Sequence, residues 1–124
     1  MASNEIIHID DDEAIRDLVV AVLKTANIEI LSFPDAETAL QKIKSGDVRL
    51  IILDMKLHNK FEGEDVLKWL SGVKSRIKVI ILTANPSEIS SKLKSEYSSL
   101  VSECVMKPFE PKLLINAVKK AIGK

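Results

Sequence analysis

The sequence predicts an α/β protein: a five-stranded parallel sheet, doubly wound in the strand order 2-1-3-4-5, in the (βα)5 pattern. Three observations predict it. Short aliphatic runs alternate with amphipathic stretches of helical period, five times along 124 residues. The central run, Val48-Arg49-Leu50-Ile51-Ile52-Leu53, is apolar at every position but one, as a strand covered on both faces must be. Four of the five runs end in a polar, reactive residue, as expected at the carboxyl edge of an open parallel sheet. Right-handed crossovers then place helices on both faces.

The elements follow in order. Ile6-Ile7-His8-Ile9 is a short strand running into Asp10-Asp11-Asp12. His8 reads as a satisfied core or edge histidine rather than a ligand, because no second His stands at metal spacing. Glu13 to Ala26 is a helix with Ile15, Val19, Val22 and Ala26 as its inner stripe, and the acids at its start suit the positive end of the helix dipole. A second stripe, Ala14, Leu18 and Ala21, is either the flank of a wide buried face or a surface that partners read. Ile28 to Ser32 alternates weakly, as an edge strand does. Pro34 opens the next helix and Gly46 closes it, with Ala39, Leu40 and Ile43 facing in.

After the central strand comes a loop, Leu57 to Gly63, then a helix from Glu64 to Gly72 carrying Val66, Leu67, Trp69 and Leu70, with Trp69 packed in or beside the core. Ile77 to Leu82 is a second strand buried on both faces, ending in Thr83-Ala84-Asn85. A helix from Ile89 to about Leu100, rich in Ser and Lys, is expected to be the most exposed one. Val101 to Met106 is the last strand, ending in Lys107-Pro108-Phe109. Pro111 starts the last helix, whose inner face is Leu113, Leu114, Ala117, Val118, Ala121 and Ile122.

The totals narrow the function classes. With 18 basic and 18 acidic residues, nothing argues for a nucleic-acid surface or an anionic membrane. One cysteine, Cys104, makes no internal disulfide and fits a reducing cytoplasm. The first residues lack the pattern of a signal peptide, and no apolar run approaches the ~20 residues of a membrane span. Residues 1–124 read as a single domain with no output domain inside the chain.

The strand ends carry the chemistry: Asp10 and Asp11 after the first, Asp54 after the third, Thr83 after the fourth, Lys107 after the fifth. Three carboxylates at one edge repel unless a cation neutralises them, and Mg²⁺ takes a few carboxylates, a carbonyl and water. A hydroxyl and an ammonium beside it bind an anion. Carboxylate nucleophile, Mg²⁺, hydroxyl and lysine together suit transfer of a phosphoryl group onto an aspartate.

From about Glu5 to Ile122 the sequence resembles the receiver domains of two-component response regulators, on Ile-Asp-Asp-Asp at 9–12, Leu-Asp-Met at 53–55, Leu-Thr-Ala at 82–84 and Lys-Pro-Phe at 107–109. The resemblance implies a flavodoxin-like, stand-alone or excised signalling domain in which Asp10 and Asp11 bind Mg²⁺, Asp11 more directly. It implies that Asp54 is phospho-acceptor and metal ligand and that the Lys56 carbonyl completes the protein ligands. Thr83 would hydrogen-bond the phosphoryl oxygens and Lys107 would pair with them. The donor it implies is a histidine kinase, a histidine phosphotransfer protein or a small phosphodonor such as acetyl phosphate, and the domain would catalyse only its own phosphorylation and dephosphorylation. Phosphorylation would then switch a surface formed by the Ala14-Leu18-Ala21 stripe and the helix before the last strand, read by a downstream protein.

The sequence departs from the family pattern at named places. His58 stands where the loop usually has Pro, its turn is Glu62-Gly63, and the loop is about a residue longer. Cys104 stands three before Lys107, where an aromatic is usual, and Ser98 to Ser102 replaces the Ala-Gly pair common before the last strand. Lys56, two past the acceptor, is expected to lean over the site and obstruct an attacking water, giving a phospho-Asp54 slow to hydrolyse.

Other readings fit less well. An aspartate-nucleophile phosphatase usually has a second Asp two residues after the nucleophile, where this chain has Lys56. A flavin-binding domain would have a Gly/Ser/Thr-rich cradle where this chain is acidic. A receiver-like fold that only binds partners would have no use for Asp54, Thr83 and Lys107 together.

Overall fold

A computed structural model of the chain describes residues 6–46, 48–55, 63–73, 76–84 and 95–123. Five strands, β1 (Ile6–Ile9), β2 (Leu31–Phe33), β3 (Leu50–Leu53), β4 (Lys78–Thr83) and β5 (Val101–Met106), form one sheet in the order β2-β1-β3-β4-β5. Every neighbouring pair is parallel. The described helices are α1 (Glu13–Lys24), α2 (Ala36–Lys44), α3 (Gly63–Gly72) and α4 (Pro111–Ala121). The predicted fold class and strand order are both found.

Strand alternation splits the apolar residues into two layers. Ile7, Ile9, Ile51, Leu53, Val79 and Ile81 pack with Ala39, Ile43, Val66, Leu67 and Leu70 under α2 and α3. Ile6, Leu50, Ile52, Ile80 and Leu82 pack with Val19, Val22, Leu23, Leu114, Ala117 and Val118 under α1 and α4. Fully burying each such Val, Leu or Ile side chain contributes roughly 1.5–3 kcal/mol, so the central strands hold the sheet from both sides.

Asp12 caps α1, its Oδ1 accepting from the N–H of Ala14 at 2.9 Å and of Ile15 at 3.3 Å. Asp35 caps α2 by accepting from Thr38 N–H at 2.7 Å, so this helix starts after Asp35 rather than at Pro34. Ile28 belongs to the exit from α1, not to β2: Asn27 turns the chain at φ 61°, and the Ile28 N–H bonds to Leu23 O at 3.0 Å. β2 therefore begins at Leu31, and it is the edge strand the sequence predicts.

Leu113 is 55% exposed, against the expectation that it faces in. Adjacent helical residues lie ~100° apart, and Leu114, Ala117 and Val118 already fill the inner face. The stripe Ala14, Leu18, Ala21 is solvent-facing, with Leu18 47% exposed, so it is not the flank of the buried face. Of the helix expected from Ile89 to about Leu100, residues 89–94 lie outside the described part; Tyr97 and Leu100 are buried against the α3 side of the sheet. No helix among the described residues is long and apolar enough to cross a membrane.

Candidate functional site

The site grows out of the sheet's own hydrogen bonding. One residue beyond β1, Asp10 still donates its N–H to Phe33 O at 3.1 Å. One residue beyond β3, Asp54 donates to Ile9 O at 3.0 Å, and one beyond β5, Lys107 donates to Thr83 O at 2.7 Å. Each backbone is pinned to the neighbouring strand, so the side chains are aimed before any ligand arrives. Asp10 and Asp54 continue the alternation of Ile6 and His8, and of Leu50 and Ile52; Lys107 continues that of Val105. Three strands thereby send their end residues to one face. Thr83 closes β4 on the alternation of Val79 and Ile81 and is buried.

Carboxylate oxygens of Asp10, Asp11 and Asp54 lie within 4.8 Å of one another. Asp10 is fully buried and Asp54 is 6% exposed, while Asp11 is part-exposed at the mouth. Lys107 Nζ sits 2.8 Å from Asp10 Oδ2 and 3.6 Å from Asp54 Oδ2. Burial pulls the Lys107 ammonium down, but its hydrogen bond to Asp10 and the charges of Asp10 and Asp54 outweigh this and raise its pKa.

The remaining oxygen of Asp10, Oδ1, accepts from Asp12 N–H at 3.0 Å. Arg16 Nη1 reaches back from α1 to the Asp10 carbonyl at 2.8 Å and ties helix to strand end. Gly63, the first residue of α3, donates its N–H to Met55 O at 3.2 Å. A Cβ there would stand 2.6 Å from Met55 Cα and 2.7 Å from Asp54 O. Only a glycine lets α3 begin this close to the backbone of Asp54 and Met55.

The structure brings together Asp10, Asp11, Asp54 and Lys107, and ends β4 at Thr83 beside Lys107. Lys56, whose carbonyl and side chain both figured in the expectations, lies outside the described residues, as do His58 and Glu62. Sequence reasoning missed Arg16 and Gly63. The signal for Arg16 was a lone cation one turn into a helix that starts with acids; for Gly63 it was the glycine closing the loop after Asp54.

His8 corrects a further expectation. It is a core histidine, fully buried, but not a satisfied one: neither ring nitrogen has a hydrogen-bond partner among the described residues. Burial pushes its imidazole from 6.5 down to about 4, against the pull of Asp10, with Lys107 and Arg16 adding to the fall.

The acid cluster suits a small hard cation. Two oxygens on one Mg²⁺ lie at most ~4.2 Å apart, twice its ~2.1 Å bond, so a set already within 4.8 Å needs little closing. The donors are all oxygen, which favours Mg²⁺ over softer metals.

A family profile of the response regulator receiver domain matches residues 6–119. The alkaline phosphatase synthesis transcriptional regulatory protein PhoP of Bacillus subtilis is 32% identical over 120 residues, 97% of this chain and 48% of its own length. The DNA-binding response regulator MtrA of Mycolicibacterium smegmatis is 29% identical over 92% of this chain and 48% of its own. The chain thus spans about half the length of these two relatives. Among solved structures, the receiver domain of the Francisella response regulator 1452 superposes with a TM-score of 0.82, at 25% identity and 95% coverage of both chains. A sheet in the order 2-1-3-4-5, an acid pocket at its carboxyl edge and a profile match across nearly the whole chain agree: the chain belongs to the response regulator receiver domains, the phosphoryl-accepting signalling domains of two-component systems.

Proposed function

We propose that Asp54 is the phospho-acceptor of this receiver domain, that Asp10, Asp11 and Asp54 hold Mg²⁺, and that Lys107 and Thr83 receive the phosphoryl group. The observation that carries this reading is Lys107 standing between Asp10 and Asp54, at 2.8 and 3.6 Å, at the edge of a three-carboxylate pocket. An Asp54 oxygen attacks the phosphorus; the P–N bond of a phosphohistidine, or the P–O bond of acetyl phosphate, breaks, and its electron pair leaves with the donor. Bound Mg²⁺ would supply positive charge to the phosphoryl oxygens and offset the repulsion between acceptor and donor.

The chain's own residues do the rest. The ladder bond to Ile9 O fixes the Asp54 backbone, and Gly63 packs against it from α3. Lys107 can exchange Asp10 for the new anion with little travel. Asp11, part-exposed beside the buried Asp10, is the one to meet the cation directly, because both Asp10 oxygens already accept hydrogen bonds. The Lys56 carbonyl completes the proposed ligand set from outside the described residues.

The donors are a histidine kinase or phosphotransfer protein, and chemistry at Asp54 is confined to the domain's own phosphorylation and its reversal. The exposed Ala14-Leu18-Ala21 stripe, flanking the site on α1, is the surface proposed to meet a protein partner. Acetyl phosphate with Mg²⁺, read by intact mass, tests the chemistry: one phosphoryl increment, lost in Asp54→Asn and on chelation. An increment that persists in Asp54→Asn would refute the assignment.

A further inference from the structure

Among the described residues, the shielded side-chain atoms without a hydrogen-bond partner are His8 Nδ1, His8 Nε2 and Ser32 Oγ. They are neighbours, since His8 on β1 pairs level with Ser32 on β2. Leaving a buried polar atom unpaired costs on the order of 1–3 kcal/mol, so three at one level of the sheet call for an explanation. An aliphatic residue would fill the position at no such cost, as Ile52 does on the next strand.

The explanation lies two residues along β1. His8 Nε2 is 3.8 Å from Asp10 Oδ2, the same oxygen that Lys107 Nζ holds at 2.8 Å. Lys107 also stands 3.6 Å from Asp54 Oδ2. On the proposed function, on which this inference rests, a phosphoryl group on Asp54 draws Lys107 away. Asp10, fully buried, would then lose the strongest bond to one of its oxygens. Among the described residues, His8 brings an unpartnered ring nitrogen to 3.8 Å from this oxygen, and a shift of about 1 Å puts its N–H at bonding distance.

We infer that His8 is a positioning residue that takes over Asp10 Oδ2 when Lys107 moves to the phosphoryl group. The present geometry is one end of this exchange, with the lysine on Asp10 and the imidazole waiting. The exchange keeps Asp10 aimed at the pocket in both states and lowers the cost of releasing Lys107.

The imidazole reports on itself. His58 is the chain's other histidine, so a His58→Gln background leaves one ring in a nitrogen-detected NMR spectrum. In the first arm, beryllofluoride with Mg²⁺ is added, and fluorine signals lost in Asp54→Asn verify the adduct. A slowly exchanging, hydrogen-bonded Nε2–H appearing with the adduct supports the exchange. An adduct that leaves the His8 ring unchanged overturns it while the phospho-acceptor assignment stands. Failure to form any adduct counts against that assignment instead, and the second arm then decides the inference.

The second arm removes the lysine without any phosphoryl mimic, in Lys107→Met or, should that variant not fold, Lys107→Gln. The bonded ring N–H is expected in the plain variant, and its absence from a folded variant overturns the exchange. As a rescue test, His8→Leu should weaken beryllofluoride binding by about tenfold or more, and His8→Gln, which restores a donor, should recover most of it. Equal loss in both variants would mean packing alone.

Discussion

Among the described glycines, the one most sensitive to a single added atom is Gly63, where α3 meets the end of β3. In Gly63→Ala the new methyl would sit 2.6 Å from Met55 Cα, 2.7 Å from Asp54 O and 3.1 Å from Met55 O. All three are backbone atoms, so no side chain can turn aside. Carbon–carbon contact settles near 3.5–4.0 Å, so helix α3 and the strand end must separate by about 1 Å. Overpacking of this kind costs typically 1–3 kcal/mol, against which a helical Gly→Ala change returns at most ~1. A net loss of about 1–2 kcal/mol lowers the melting temperature by roughly 3–10 °C in a domain of this size. The strand end that must move carries Asp54, and a 1 Å displacement of a reacting group can cost on the order of 10²-fold in rate. Thermal melting by circular dichroism and acetyl-phosphate labelling by mass read the two effects. Gly72→Ala is the control: at the far end of the same helix its Cβ meets nothing within 4 Å, so stability should hold or rise slightly. If Gly63→Ala melts and labels like the wild type, the close approach is not what positions Asp54.

The remaining predictions concern single groups. Asp12→Ala should cost about 1 kcal/mol in urea unfolding by removing the α1 cap yet leave the Mg²⁺ requirement unchanged, whereas Asp11→Asn should raise that requirement with little change in stability. Tyr97, the chain's one tyrosine, has its hydroxyl pKa raised above 10.0 by burial and then by Glu96 and Glu64. The folded state therefore holds that proton more tightly, and this contribution to stability, complete below pH 10, is lost as pH rises beyond. Tyrosinate absorbance should lag the free residue's, and Tyr97→Phe should flatten the alkaline fall in stability; an unshifted titration would contradict the burial. Lys56→Asn should hasten loss of the phosphoryl group from Asp54, and equal lifetimes in variant and wild type would remove the lysine from the account.

The sheet was legible because its signal is redundant. β1, β3 and β4 are each buried on both faces, as the three inner strands of a five-stranded parallel sheet must be. The misreadings fall where an apolar residue does a different job. Ile28 supports the turn out of α1 and so lengthened the expected second strand; Leu113 sits beside the true inner face of α4 and is exposed. The site's acids and lysine were legible for a related reason: position at a strand end is a sequence property, and a parallel sheet turns it into proximity. Arg16, Gly63 and the unpaired ring of His8 were not, because each depends on what stands opposite in space.

Asp10, Asp11 and Asp12 show how far this goes. Three identical residues in a row read as one block of negative charge. The chain passes from strand to helix across them, and the change of backbone direction sends each side chain elsewhere. Asp10, still on the ladder, faces Lys107; Asp12, extended at ψ 113°, folds back onto the first amides of α1; Asp11, between them, opens toward the pocket mouth. Only two of the three can therefore join Asp54, and the third serves the fold. The cluster's charge is set by composition, but its division between the Asp54 pocket and the cap of α1 is set by where the strand ends, and that is fixed by the amide of Asp10 reaching Phe33.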